Sequence, residues 1–442
     1  MEGTKKSMKP IRVVDSIMGS GKSTAAIQMM NQNDDKRYIY ITPFLNEIDR
    51  IKRECSSKIF YSPENYDKDG NFRYKMDSFI TLLSEGKNIA STHALFKEIS
   101  IEVIELIKSG GYILILDEVM DVVSDFPVKE RDQKMFMDNQ FWYKDEHDFM
   151  QWNIDNTDAN EYDGRFNDLK QMSLNKSLKQ YSNNTMIWSF PYQIFQAFDE
   201  CYVLTYLFDG QIQKYYFDLH HIPYEKYTVE FTGFGDYFRQ FIKGNNHEKE
   251  IMIRHNLKQK IHIYEGNLNN IGENDKNRLT DLSKSWYNNK KKKELHKLLK
   301  NNMNNYFKNI VKASASDRIW TTFKDFQDDI GEKRRYGASF LSCNIRATNE
   351  YRDRKHVAYL INRYMRPVIT NYFSQYDVKV DQNLWAVSEL IQFIWRSAIR
   401  EDNDIHVYIP SKRMRMLFIQ WLNGEDIMVD TNIPVGLSDD SE

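Results

Sequence analysis

A chain of 442 residues is too long for one ordinary core and predicts two domains. Its 41% hydrophobic and 28% charged residues fit a soluble folded protein, and no run approaches the roughly 18 apolar residues that a membrane span needs. A net charge of -2 excludes a polybasic binding protein, so any grip on a polyanion must come from cations gathered in a groove.

The opening MEGTKKSMKP runs straight into an apolar strand with no long apolar core for export, and Cys55, Cys201 and Cys343 stand far apart with no CxxC pair. Both features point to a reducing cytoplasm and away from a structural zinc or a disulfide framework. The wealth of Asn, Lys, Ile and Tyr fits an AT-rich genome of phage or plasmid type; it carries no chemistry.

The first predicted strand, IRVVDSI from Ile11, ends near Asp15. Gly19, Ser20, Gly21, Lys22, Ser23 and Thr24 follow, then a helix-compatible run. Strand, glycine loop and helix in that order are the context of a phosphate-binding loop. Glycines let successive N–H groups turn inward around a phosphate, and the helix beginning there adds its positive end. In such a loop Lys22 holds the β- and γ-phosphates of ATP and the Ser23 hydroxyl ligates Mg2+. One position departs from the pattern: Gly or Ala usually opens the loop where Ser16 stands, and serine is small enough for the loop to close.

Further apolar runs follow at YIYITP from Tyr38, NIAST from Asn88, YILILDE from Tyr112 and YVLTYLF from Tyr202. Their β-branched and aromatic content predicts buried parallel strands with crossing helices, an α/β layer. YILILDEVMD puts Asp117 and Glu118 at a strand end, where two carboxylates need a partner because burying charge alone is costly. Beside a phosphate loop they have one. Asp117 would hold Mg2+ through water, and Glu118 would orient and deprotonate the attacking water.

Residues 126–184, acidic and aromatic with few strand signals, form an insertion in a first domain of residues 1–210. The 14% aromatic content leaves room there for a residue that stacks on bases. A connecting segment takes 211–257. In a second domain, 258–435, the predicted strands are KIHIYEG near Lys260, IWTTF at Ile319, ASFLSC at Ala338 and DIHVYIP at Asp404. An amphipathic helix runs from Leu384 to Arg400. On it Gln392, Arg396 and Arg400 stand four apart and share one face, the arrangement of an arginine finger that meets a transferring phosphoryl group. The run Lys290, Lys291, Lys292, Lys293 has two readings, a solvated helix face and a contact with a phosphate backbone. Residues 436–442 are an acidic, frayed tail.

Together the motifs resemble superfamily 2 helicases over most of the chain. SIMGSGKST is similar to motif I in the M-G-S-G-K form of viral replication origin-binding helicases. ITPFLNEI, with Thr42 and Pro43, and STHALF, with Thr92 and His93, resemble motifs that lie against a nucleic-acid backbone. Thr42 and Pro43 could equally end a strand, and His93 could be a satisfied, half-buried histidine. DEVM resembles motif II with Met120 in place of the usual Asp or His, VLTYLF motif III, and IWTTF motif IV. FLSCNIRATNEYRD resembles motif V, with Arg346 and Thr348 as backbone or nucleotide contacts. ELIQFIWRSAIRE resembles motif VI, Q-x-x-G-R-x-x-R. Gln392 and Arg396 match it, Trp395 replaces the glycine, and Arg400 falls one residue late, which leaves open which arginine reaches the γ-phosphate.

The resemblance implies two RecA-like parallel-sheet domains with a nucleotide cleft between them, and an ATP- and Mg2+-dependent motor on nucleic acid. Single-stranded DNA is the expected polymer ahead of RNA, with replication proteins as partners and no membrane. An ATPase that nucleic acid stimulates, and that loads or remodels proteins without unwinding, would use the same motifs. A packaging motor with a nuclease would need clustered carboxylates in the second half, whereas Asp353, Asp377 and Asp381 sit in no strand-end arrangement. A scaffold without turnover fits poorly with Lys22, Asp117, Glu118 and Arg396 all present.

Overall fold

The computed structural model describes residues 9–66, 69–146, 148–232, 238–271, 279–343 and 350–428. They fall into two compact units, one within Met1–Asn246 and Arg366–Val380, the other within His247–Met365 and Asp381–Glu442.

The first unit begins with β1 (Ile11–Asp15), β2 (Arg37–Thr42), β3 (Phe60–Tyr61), β4 (Asn88–Thr92) and β5 (Tyr112–Asp117). A middle segment adds β6 (Val123–Pro127), β7 (Trp142–Lys144), β8 (Met150–Trp152), β9 (Leu178–Ser182) and β10 (Thr185–Ser189). The chain then returns through β11 (Glu200–Thr205), β12 (Tyr224–Phe231) and β13 (Arg239–Lys243). The main sheet has the order β13-β12-β1-β11-β5-β2-β4-β3 and is parallel except for the antiparallel edge β12–β13. Its central runs are apolar throughout because both faces are covered: every residue from Tyr112 to Leu116 is buried. On one face Val14, Tyr40 and Ile115 pack with Ala26 and Met30 of the helix Lys22–Gln32.

The expected connecting segment, 211–257, is not a linker. Up to Asn246 it belongs to the first unit, where β12 lies parallel beside β1. Glu225, Lys226 and Glu230 interrupt the apolar run of β12, and the strand is only part-buried, so no continuous apolar signal marks it. A piece of the second half also joins this unit. The helix Pro367–Ser374 sets Phe373 5.9 Å from Tyr215, ring to ring, and the preceding Arg366 pairs with Asp125.

The middle segment is richer in strands than its sequence suggests. β6, β10 and β9 form an antiparallel sheet, and β7 pairs with β8. Its aromatic residues are a core. Phe136 lies 5.5 Å from Trp142, 5.7 Å from Trp152 and 5.3 Å from Phe166. The Trp142 and Trp152 indoles donate to Ser173 Oγ (2.7 Å) and to the Ala159 carbonyl (2.8 Å). Rings held in this way are not available to stack on bases, which corrects that expectation for these residues.

The second unit is a four-stranded parallel sheet in the order β14-β17-β16-β15, with β14 (Ile261–Ile263), β15 (Arg318–Thr321), β16 (His356–Tyr359) and β17 (Ile405–Tyr408). ASFLSC is not a strand: Gly337–Ser339 is a 3-10 turn, and Phe340 makes a single bridge to Trp320. The missing strand is HVAY, short and preceded by the charged run at Arg352–Lys355. Both units are α/β with parallel sheets, the fold class the sequence predicts.

Candidate nucleotide site

In the first sheet β11 separates β1 from β5, so the loop after β1 and the carboxylates after β5 emerge at neighbouring carboxyl ends. Ligand sites in open α/β sheets form at such ends. Gly19 and Gly21 have φ 79° and 85°, and Gly21 caps the helix Lys22–Gln32. The first amides of that helix have no acceptor within it, and helix ends of this kind favour anions. Gly21 sits at positive φ, which favours glycine, and the Arg239 side chain packs against it where a Cβ would come within 2.4 Å of Nε.

Lys22 folds back onto the loop, its ammonium donating to the carbonyls of Ser16 (2.6 Å) and Ile17 (3.3 Å). The Ser23 hydroxyl lies 3.4 Å from both carboxylate oxygens of Asp117. Tyr40, on β2, donates its hydroxyl to Asp117 Oδ2 at 2.8 Å. Burial, then the charges of Glu118 and Glu47, push the Asp117 carboxyl up to about 7, against the opposing pulls of Tyr40 and Lys22. The Lys22 charge does not offset the burial and the two neighbouring acids. Hydroxyl and carboxylate oxygens are the hard donors Mg2+ takes, with phosphate oxygens and water completing six. Among the described residues no cluster of three or more His, Cys, Asp or Glu forms a metal cage, and a phosphate-linked Mg2+ needs none.

Glu118 has φ 65°, a left-handed backbone that is costly for a residue with a Cβ, and its amide donates to the Leu204 carbonyl of β11 at 2.9 Å. That strained turn sits directly after Asp117. Asp121 pairs with Lys97 at 2.8 Å, and the Met120 amide donates to Gln213 Oε1.

The other expected residues divide. Thr42, the last residue of β2, is fully buried, so it cannot touch a strand from solution; its strand-ending reading holds. Pro43 follows it, half-buried. Thr92 caps the short helix His93–Lys97 by accepting from the Leu95 amide (3.3 Å). His93 is buried, and its Nε2 donates to the Asp117 carbonyl at 2.9 Å, so it braces the acidic turn and does not face a nucleic acid. Arg346 and Thr348 lie outside the described residues. Gln392 is on the helix Gln382–Ile394, which ends at Trp395. Arg396 begins a tight turn in which its amide bonds to Phe393 and the Ser397 hydroxyl donates to the Ile394 carbonyl; Arg400 is on a separate 3-10 turn, Ala398–Glu401. The three therefore do not share one helical face. Arg396 is 6% exposed and Arg400 is exposed.

Three participants had no motif to announce them. In the sequence Tyr40 is one of the aromatic residues of the run YIYITP. Ser16, noted only as a departure, accepts from the Val229 amide and bonds Thr228 Oγ1, both at 3.1 Å, which ties the loop to β12. Arg239 packs on Gly21, its guanidinium 4.6 Å from the Phe231 ring centre. The isolated charges of β12 and β13 gave no periodic signal for either contact.

The fold and this site define an α/β protein of the Rossmann-like class, with a glycine loop between its first strand and first helix. The chain belongs to the YonV family. It is 42% identical over 422 residues to the SPbeta prophage-derived uncharacterized protein YonV of Bacillus subtilis (strain 168), covering 95% of this chain and 100% of that one. The YonV C-terminal Rossmann-like domain matches residues 255–422 and the YonV middle domain residues 123–188. The second match coincides with β6 through β10, slightly wider than the expected insertion. Among solved structures the chain is similar to one titled XPD_Helicase (12% identity, 94% of this chain and 95% of that one, TM-score 0.48). It is also similar to S. tokodaii Xpd4 (9% identity, 93% and 94%, TM-score 0.48). No helix among the described residues is long and apolar enough to cross a membrane.

Proposed function

We propose that this protein is an ATP-driven motor on nucleic acid, a helicase or translocase acting on DNA in phage replication or recombination, in the cytoplasm of the host. The observation that carries the reading is the approach of Ser23 to Asp117 at the carboxyl ends of β1 and β5, on either side of β11, with Lys22 folded onto the same loop and Glu118 on a strained turn.

When ATP enters, Lys22 exchanges its two loop carbonyls for β- and γ-phosphate oxygens, and the amides of Gly19 to Thr24 surround the phosphates. Ser23 and Asp117 are the residues that would hold Mg2+, which supplies charge neutralisation on the phosphate oxygens. Glu118 accepts the proton of the attacking water. Of the second unit's residues, Arg396 with Gln392 is the proposed arginine-finger pair that the motif implies; Arg400, exposed on its own turn, is the weaker candidate. Pro43 and Thr92, near the same sheet ends, are proposed backbone contacts, of a kind that carries little sequence information. The likeness of Met18-Gly19-Ser20-Gly21-Lys22 to origin-binding helicases supports single-stranded DNA over RNA and replication proteins as partners.

The test is ATP hydrolysis with no polymer, with single-stranded DNA and with single-stranded RNA, beside Lys22→Ala and Glu118→Gln. Several-fold stimulation by DNA, with both variants at least 100-fold slower, is the expected result. Hydrolysis indifferent to either polymer would overturn the motor reading, and stimulation without strand separation would leave a protein-remodelling ATPase.

A further inference from the structure

In the second unit, the helix Lys293–Asn305, the turn before it and the segment after β15 line a cleft of about 420 Å3 that opens to solvent. Lys293, Lys297 and Lys300 stand at i, i+4 and i+7 and line one wall, joined by Lys290; Asp329 is the one acid in the lining. Lys297 pairs with Glu294 and Lys300 with Glu332, but both acids lie outside the lining and such surface pairs are weak. Two aromatic residues supply the opposite character, Phe326 and Tyr287, with rings 5.0 Å apart.

The informative residue is His296. It is 8% exposed, lines the cleft, and sits among the rings of Trp286, Tyr287 and Phe326. Its Nε2 is buried with no hydrogen-bond partner among the described residues. A buried polar group of this kind is costly unless something pairs with it. Burial holds the imidazole below its ordinary value, Asp329 opposing and Lys293 reinforcing, so at neutral pH it offers a hydrogen bond without charge. Four cations, an uncharged imidazole and an aromatic wall around a space of this size suit a phosphorylated planar ligand.

We propose that this cleft is a second nucleotide subsite, in which the lysines take a phosphate, His296 bonds the ligand and Phe326 stacks on the base. Its occupant is a nucleotide unit of single-stranded nucleic acid. The choice of the polymer over free nucleotide rests on the motor reading above; the subsite itself does not.

The test is binding of a fluorescent oligothymidylate, and separately of thymidine 5′-monophosphate, to the full chain. It is compared with the Lys293→Gln/Lys297→Gln double variant and with His296→Phe, which keeps a ring in the aromatic cluster. The double variant is expected to bind the oligonucleotide at least 10-fold more weakly, with a salt dependence shallower by roughly 1.4 for two lost phosphate contacts. His296→Phe should weaken binding several-fold without changing the salt slope, and polymer-free hydrolysis should be unchanged in both. Weakening of the monophosphate alone would keep the subsite and assign it to free nucleotide. Unchanged binding of both ligands in both variants would overturn the proposal and leave a solvated lysine face. A wild type that binds the oligonucleotide through these residues but does not hydrolyse ATP would sink the motor reading instead.

Discussion

The Tyr40 hydroxyl donates a 2.8 Å hydrogen bond to Asp117 Oδ2 across the β2–β5 pair. Burial, then Asp117 itself, keeps the phenol well above its ordinary value, so Tyr40 is a permanent donor. It therefore holds one carboxylate oxygen, Oδ2, and with it the orientation of the group beside Ser23. Groups that orient a metal-holding carboxylate typically matter 10- to 100-fold to metal affinity. Tyr40→Phe is expected to raise the Mg2+ concentration for half-maximal hydrolysis about 10-fold, with a smaller effect on the rate at saturating Mg2+. A titration of activity against Mg2+ that superimposes on wild type would remove Tyr40 from the site.

Asp117 gives a pH prediction of definite sign. Its folded-state carboxyl lies at about 7, above the unfolded value. A raised group contributes stability that is complete below the unfolded value, about 4, and is lost as pH rises through 7. The ligand-free protein should therefore gain stability from this residue at pH 6 relative to pH 8, and Asp117→Asn should flatten that difference while losing hydrolysis at least 100-fold. Since Mg2+ competes with the proton, Mg2+–nucleotide binding should release protons near pH 7 and weaken below it. Calorimetry in two buffers of different ionisation enthalpy detects the release; no buffer dependence would contradict it.

Ser16 replaces a small apolar residue and makes two bonds with β12, at Thr228 and the Val229 amide. Ser16→Ala leaves that buried amide without its acceptor, at about 1–2 kcal/mol. For a unit of this size that lowers the melting temperature by roughly 2–8 °C, at about 2–4 °C per kcal/mol. The loop can still close, so polymer-free hydrolysis should stay within a few-fold of wild type. An unchanged melting temperature would mean that β12 does not hold the loop.

Most of this site was legible because its chemistry is local. A glycine loop between strand and helix, and two acids ending an apolar strand, are contiguous patterns, and both fall where a parallel sheet brings them together. Tyr40, Ser16 and Arg239 escaped because each acts through a partner distant in sequence, on strands whose own pattern says nothing of register. His93 and Thr42 were visible as residues, but their burial depends on how β4 and β5 pack. The helix carrying Gln392 shows another limit: its amphipathic period continues to Arg400, while the backbone turns away at Arg396 through bonds at Phe393 and Ile394. β16 and β12 were missed where charged residues adjoin or interrupt a short apolar run.

The middle segment, residues 123–188, is the sharpest case of composition misdirecting a reading, and it yields a separable prediction. Trp152 is 3% exposed and bonded to the Ala159 carbonyl, whereas Tyr143, on the neighbouring strand β7, is 54% exposed. Trp152→Ala should cost about 3–5 kcal/mol and open the segment to limited proteolysis, as large aromatic truncations in packed cores do. Tyr143→Ala, exposed on the same hairpin, should change stability by less than about 0.5 kcal/mol. Because β6 and β10 form a sheet separate from the one that carries β1 and β5, polymer-free hydrolysis should survive Trp152→Ala below the temperature at which the segment melts. If Trp152→Ala left stability and proteolysis unchanged but abolished oligonucleotide binding, the rings would be a stacking platform after all.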